Sequence, residues 1–161
     1  MANEKAKALA IQLIKELYDH AKANEKHYHN LAVMVNQGAA RMRNLLEIAD
    51  YVGYVLAIQP PEEPDTWYIP GYYREYVKRV VFHFWNRRDE ELRATGRDHE
   101  TDLVEVRCNL TEQLSESGIT SKTFTNWLSR SRPTSPSIEA FLTVALFEGF
   151  GVKWSRKPSN V

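Results

Sequence analysis

The residues 114–128, LSESGITSKTFTNWL, are the stretch that decides how this sequence folds. Gly118 can adopt the left-handed backbone conformation that a sharp turn between two helices needs. Thr120 can accept a hydrogen bond from a free amide in the first turn of the next helix. Phe124 and Trp127 are three residues apart and therefore lie on one helix face, and Ile119 is placed to fill the turn. The stretch predicts two helices joined by a tight turn, the second beginning after Thr120.

This pattern resembles the helix-turn-helix of the lambda-repressor/Cro family, often called XRE-like. In that family a helix ends at a glycine, an aliphatic residue fills the turn, and a serine or threonine caps the recognition helix. The resemblance continues through the loop 132–137 and the helix 138–147, after which Gly149 follows. It implies binding of double-stranded DNA, with Asn and Arg reading bases and Ser, Thr and Lys contacting phosphates or base edges. The DNA-binding residues that it implies are Ser121, Lys122, Thr123, Thr125, Asn126, Ser129, Arg130 and Arg132.

A fainter copy of the pattern lies 96 residues earlier in the chain. When the chain is shifted by that distance, apolar positions match in the spacing of two helices that each pack through one face. The matched pairs include Tyr28 and Phe124, Leu31 and Trp127, Met42 and Ile138, and Gly53 and Gly149. The sequence therefore predicts a structural repeat, with one helix-turn-helix unit at each end of the chain.

The amino-terminal copy departs from the family at its turn and on its reading helix. Lys22 takes the place of the turn glycine, and Ala23 takes that of the turn aliphatic residue. Val33 and Met34 are expected to be exposed where the other copy has Ser129 and Arg130, which suits a protein partner better than phosphates. Whether this copy reads DNA or binds protein therefore stays open. As a second reader it would use Lys26, His27, His29 and Asn30.

The remaining chain predicts an all-α protein with short strand pieces. Apolar residues at helical spacing predict a helix over 3–23 and a long amphipathic helix over 72–92, and a further helix is expected over 100–116. Prolines break the chain over 59–65, and short strands are expected at 54–58 and 151–154. The predicted units are an amino-terminal one over 1–58, a proline-broken linker with the amphipathic helix over 59–98, and a carboxy-terminal one over 99–161.

Charge and composition fit this interpretation only in part. The chain has 21 basic and 21 acidic residues, although a DNA-binding domain is commonly basic. The basic residues gather in blocks, since residues 119–161 carry six basic groups and two acidic ones. The single cysteine, Cys108, fits a reducing compartment, and we expect a cytoplasmic protein with neither a signal peptide nor a membrane span.

Other function classes have weaker support in the sequence. The first alternative is a helical protein-protein interaction module, such as an inhibitor or antirepressor. A small helical nuclease would need Arg93 and His99 in one cleft, and metal sites at His27 and His29 or over 99–102 have only generic ligand types. We expect no enzymatic activity, cofactor or metal. A homodimer is expected, held by the aromatic stripe of the 72–92 helix, including Val77 and Phe84.

Overall fold

Helices make up most of the chain in a computed structural model, which describes residues 2–26, 29–94, 96, 114 and 117–158. Three helices come first, followed by a strand, a long helix, two shorter helices and a second strand. The helices are α1 (Ala2–Ala23), α2 (His29–Gln37), α3 (Met42–Val52), α4 (Tyr73–Ala94), α5 (Ser121–Trp127) and α6 (Ile138–Phe147), and the strands are β1 (Tyr54–Gln59) and β2 (Gly151–Arg156). The mainly helical fold with short strands is as the sequence predicts. The helix predicted over 100–116 lies almost entirely outside the described residues.

The first helix buries the face that its apolar spacing predicts. Leu13, Ile14 and Leu17 are each at most 1% exposed, and α1 packs against α6 near the other end of the chain. The indole N–H of Trp154 donates a hydrogen bond of 2.8 Å to the Leu13 carbonyl, which ties α1 to β2. The helix that opens the first copy therefore packs on the helix that closes the second.

The long helix α4 is part of the core and not a free surface. It contacts α3, α5 and α6. The Phe84 ring lies 5.5 Å from that of Phe124 and 5.9 Å from that of Phe147, measured between centroids. Val77 and Phe84 are both 0% exposed, so the dimer interface predicted at these residues is wrong. The helices of this chain already cover the stripe, and the homodimer stays a prediction with no interface assigned.

The two strands pair with each other as an antiparallel sheet. Leu56 lies opposite Trp154, and Ile58 lies opposite Val152. The sequence predicts both strands, but their pairing joins the two copies across about one hundred residues of chain. Beyond β1, the proline-rich linker is non-helical as predicted, and Tyr68 exchanges two backbone hydrogen bonds with Ile58, at 2.8 and 2.9 Å.

The pairing of Arg41 with Ser137 fits a local two-fold axis between the two segments that the shift of 96 residues matches. Arg41 forms an isolated antiparallel bridge with Ser137, the residue 96 positions later. In the sheet, the paired residues lie 92 to 102 positions apart, a range that includes the separation of 96 at Ala57 and Lys153. Two equivalent residues can face each other in antiparallel pairing only across a local two-fold, where each copy makes the other's contacts. The flanking bonds repeat this reciprocity, from Met42 N–H to the Pro136 carbonyl and from Ile138 N–H to the Ala40 carbonyl, each 2.8 Å.

The repeat is not gapless, however. The left-handed residue of the first turn is Glu25, with φ of 57°, and Lys22 lies within α1, so the placement of the turn at Lys22 is wrong. Glu25 precedes Gly118, whose φ is 76°, by 93 residues. The difference of three residues lies between the turn and the closing helix, because 16 residues separate Glu25 from α3 whereas 19 separate Gly118 from α6.

Counting from the left-handed residue changes which core residues correspond. Leu31 is then the equivalent of Phe124 and not of Trp127. Both are buried, at 1% and 0% exposure, and Leu31 is the buried residue of α2. The turn itself repeats in its hydrogen bonds: Lys26 N–H donates to the Ala21 carbonyl at 2.8 Å, and Ile119 N–H donates to that of Leu114 at 3.4 Å. Each is the bond across five residues that closes a helix at a left-handed residue.

Candidate nucleic-acid interface

Helix α5 is short and depends on its cap. The Thr120 hydroxyl accepts the backbone N–H of Thr123 at 3.3 Å, and the Thr123 hydroxyl accepts that of Thr120 at 3.1 Å. This reciprocal pair satisfies two amides that a helix start leaves without partners. The cap at Thr120 is therefore where the sequence places it. Thr123, predicted to contact DNA, is half-buried and uses its hydroxyl in the cap, so we assign it a structural role.

One face of α5 is apolar and buried, and the opposite face is polar and exposed. Phe124 and Trp127 are buried, at 0% and 4% exposure, with ring centroids 5.7 Å apart. Lys122, Thr125 and Asn126 are exposed. Three of the predicted DNA-binding residues thus lie together on the outer face of one capped helix, where a long cation and an amide can reach a ligand.

Ser129 and Arg130, predicted on the reading helix, lie beyond its end, and Arg132 lies in the loop as predicted. Because α5 ends at Trp127, Ser129, Arg130 and Arg132 belong to the connecting loop. The Ser129 hydroxyl accepts the Arg132 N–H at 3.2 Å, and both arginine side chains are exposed. The Arg74 guanidinium of α4 donates to the Leu128 carbonyl at 3.1 Å, which fixes the point where the loop begins.

The first copy presents a more neutral surface. His29, Asn30 and Gln37 are exposed on α2, and His27 lies outside the described residues. Lys26, just before the helix, is exposed and lies over the Tyr51 ring with its ammonium 4.8 Å from the centroid. Val33 and Met34 are half-buried, so the prediction that they are exposed is wrong. They line a groove against α3.

Two adjoining grooves run across the local two-fold axis. One, of about 390 Å³, lies between α2 and α3 and includes Asn30 and Asn44 in its walls. The other, of about 460 Å³, lies between the loop 37–41 and the segment 117–140, and includes Thr123 and Trp127. Gln37, Ala39, Ala40 and Arg41 line both grooves. One concave surface therefore continues from the first copy to the second.

The lining of the two grooves includes one cation, Arg41, and one carboxylate, Glu47, and the two segments that supply most of the lining are rich in basic residues. The segments 26–46 and 117–138 contain no Asp or Glu and three Lys or Arg each. The rest of the chain holds 15 basic and 21 acidic residues, so the neutral total conceals a polarised molecule. We call these six cations the basic surface: Lys26, Arg41, Arg43, Lys122, Arg130 and Arg132. Arg41 and Arg43 could have been found in the sequence as basic residues in a long segment without Asp or Glu. The family resemblance alone does not identify them.

Arg41 lies at the centre of the basic surface. It forms the bridge on the two-fold axis, and its guanidinium donates to the Ser135 carbonyl at 3.0 Å. The backbone N–H of Arg43 donates to the Ser135 hydroxyl at 3.0 Å. Glu47, which lines the first groove, pairs with the Arg43 side chain at 3.4 Å. The loop before α6 therefore holds Arg41 and Arg43 of the first copy through Ser135 of the second.

A second charged cluster lies at the carboxyl end of α6. The buried Glu148 carboxylate contacts the His83 imidazole at 2.7 Å and the Arg87 guanidinium at 3.0 Å. Glu62 of the linker contacts the other ring nitrogen of His83. Burial opposes ionisation of Glu62, but a backbone hydrogen bond, the hydrogen bond and electrostatic attraction of His83, and the charge of Arg87 together hold its pKa below the usual value. The cluster fastens the linker and α6 to α4, a structural role that the sequence does not reveal.

The alternatives built on catalysis gain no support in the part of the chain that the structure describes. No group of three or more His, Cys, Asp and Glu residues is arranged there to hold a metal ion. Arg93 is exposed at the end of α4, and the nuclease partner predicted for it, His99, lies outside the described residues, as do residues 99–102 and Cys108. None of the described helices is both long enough and apolar enough to cross a membrane.

The chain matches no protein-family model, and comparisons with curated proteins and with solved structures find no significant match.

Proposed function

We propose that this protein is a sequence-specific double-stranded DNA-binding regulator of transcription, built from two helix-turn-helix units and acting in the cytoplasm. The observation that carries the proposal is a polar concave face with Arg41 and Glu47 in its lining, built largely from two segments that together hold six cations and no carboxylate in a chain with zero net charge. Phosphates supply the largest sequence-independent attraction in DNA binding. We propose a regulator of phage or plasmid type, which either represses or activates transcription.

Base reading is assigned to the carboxy-terminal copy. Asn126 is exposed on α5, and Arg130 is exposed in the loop that follows it. Asn pairs with adenine and Arg with guanine through two hydrogen bonds each. Lys122, a point charge at the start of the helix, suits a phosphate. The cap at Thr120 fixes the start of the helix that carries Lys122 and Asn126, and Arg130 follows in the loop.

A gel-shift titration with random and genomic duplex DNA at several salt concentrations tests the proposal. Each phosphate contact contributes about −0.9 to the slope of log K against log salt, so six cations predict a slope no steeper than about −5. Arg156, exposed at the end of β2, provides the charge-matched control as Arg156→Ala. Absence of salt-sensitive binding to every duplex would refute the proposal.

Three substitutions test the assignment of roles within the reader. Asn126→Ala and Arg130→Ala should each cost about 1–3 kcal/mol of binding free energy on the preferred sequence and relax the preference at particular base pairs. Lys122→Ala should weaken binding to all sequences by a similar factor, because it loses a phosphate contact. If the Asn126 and Arg130 variants bind the preferred duplex like the parent, the reader is elsewhere.

A protein-binding module remains the second candidate, for a reason that the sequence does not anticipate. Tyr72 is 80% exposed and Phe82 is 45% exposed, on or beside α4. Large exposed aromatic residues are typical of protein interfaces. A Tyr72→Ser/Phe82→Ser variant that keeps DNA binding but loses regulation in cells would support a partner at α4. If the basic-surface variants lose DNA binding and the Tyr72→Ser/Phe82→Ser variant has no defect, the DNA-binding regulator is favoured over the protein-binding module.

A further inference from the structure

The local two-fold axis passes through the centre of the basic surface. At one end of the axis Arg41 bridges Ser137, and at the other end Ala57 faces Lys153 in the sheet. Helix α3 connects the two ends and, with 11 residues, spans about 16 Å. The grooves on either side share Gln37 and Arg41, so the axis emerges where the concave surface crosses from one copy to the other.

Duplex DNA has the matching symmetry. A protein with a two-fold axis binds two half-sites arranged as an inverted repeat, because the symmetry of the site mirrors that of the protein. In ordinary dimers the axis lies between two chains. Here it lies within one chain, and the α4 stripe that would hold a second chain is buried in the core. One chain therefore contains both reading elements, α2 and α5, and needs no second chain to supply a symmetric pair.

The two reading elements differ in what they present. Counted from the left-handed residues Glu25 and Gly118, His29 stands at the position of Lys122 and Val33 at that of Asn126. Gln37 stands at the position of Arg130. The second copy thus offers a permanent cation and an amide where the first offers an imidazole and a half-buried aliphatic side chain. The exposed amide of Gln37 still gives the first copy one side chain that can pair with adenine.

We propose that one chain binds an imperfect inverted repeat in duplex DNA, with α5 and its loop on a strong half-site and α2 on a weak one. The inference rests on the proposed function and adds the symmetry of the target and the number of chains on it. The two grooves account for two half-sites, and the bridge at Arg41 accounts for their inverted arrangement. The different side chains of the two copies account for the different strengths of the half-sites.

Selection of duplexes from a random pool longer than about 30 base pairs, followed by measurement of the mass of the complex, tests this inference. We expect an inverted repeat with one well-defined and one degenerate half, bound by a single chain of 18.7 kDa. Mutating the strong half should lower affinity on the order of a hundredfold, and mutating the weak half on the order of tenfold.

Matched variants assign the halves. Gln37→Ala should relax the preference in the weak half only, Asn126→Ala in the strong half only, and Arg156→Ala in neither, with folding of each checked by circular dichroism. A single contiguous site, a direct repeat or two chains on each duplex would overturn the inference and leave DNA binding intact. If the pool yields no bound duplex, the proposed function fails, and the inference fails with it.

Discussion

Tyr76 shows how one side chain joins the long helix to the sheet. Its hydroxyl donates a 2.6 Å hydrogen bond to the Leu56 carbonyl of β1, and the residue is 1% exposed. Burial raises the pKa of Tyr76 to about 12, against a smaller lowering by the Gly71 backbone. Helical spacing predicts that Tyr76 faces inward, but not that it bonds to a residue twenty positions earlier in the chain.

The buried Tyr76 hydroxyl leads us to predict how the free energy of unfolding changes at alkaline pH. Because the folded state holds the Tyr76 proton more tightly than the unfolded chain, its contribution is complete below pH 10.0 and is lost as the pH rises to about 12. Tyr76→Phe should cost about 0.5–1.5 kcal/mol of unfolding free energy at neutral pH. The difference between variant and parent should shrink across that alkaline range, measured by urea denaturation. A difference independent of pH would contradict the assignment.

At the scale of elements, the sequence predicts the helices and strands well because their apolar residues repeat locally. The sequence does not correctly predict the position of the first turn. A glycine marks the second turn at Gly118, whereas the first turn places a glutamate, Glu25, in the left-handed conformation that a side chain disfavours. No residue type signals this turn, and the shift of 96 residues that fits α3 and α6 misplaces it at Lys22.

A matched pair of glycine substitutions tests the position of that turn. Glu25→Gly should stabilise the protein by about 1 kcal/mol, because glycine adopts a positive φ without steric cost. Lys22→Gly should destabilise it by up to about 1 kcal/mol, since Lys22 is helical. Chemical denaturation of both variants gives the two signs, and the opposite order would place the turn at Lys22 after all.

Two phenylalanines on α4 test whether this helix belongs to the core. Phe84 is 0% exposed and Phe82 is 45% exposed, only two residues apart. Phe84→Ala should cost about 3–5 kcal/mol through the cavity left between α4, α5 and α6. Phe82→Ala should cost far less, although its ring lies 5.8 Å from that of Trp85. Similar small costs in thermal unfolding would mean that Phe84 lies on a surface, as the dimer prediction assumed.

At the scale of the whole molecule, the sequence predicts two copies but not their arrangement. The two-fold axis depends on contacts between residues 96 positions apart, at Arg41 and Ser137 and at Ala57 and Lys153. Such pairings leave no local pattern in the sequence. The resemblance led to Asn126, Arg130 and Lys122, whereas Arg41 and Arg43 join the site only because the loop 128–137 folds back beside them.

The central claim is that the basic surface binds duplex DNA across this axis. Amide chemical shifts of the protein, recorded by NMR while duplex DNA is added, test it most directly because they report on both copies at once. We expect the changes to concentrate in residues 29–44 and 117–135, and to be small in the sheet at 54–59 and 151–156. Changes centred on Tyr72 and Phe82, or no change at any DNA concentration, would contradict the claim.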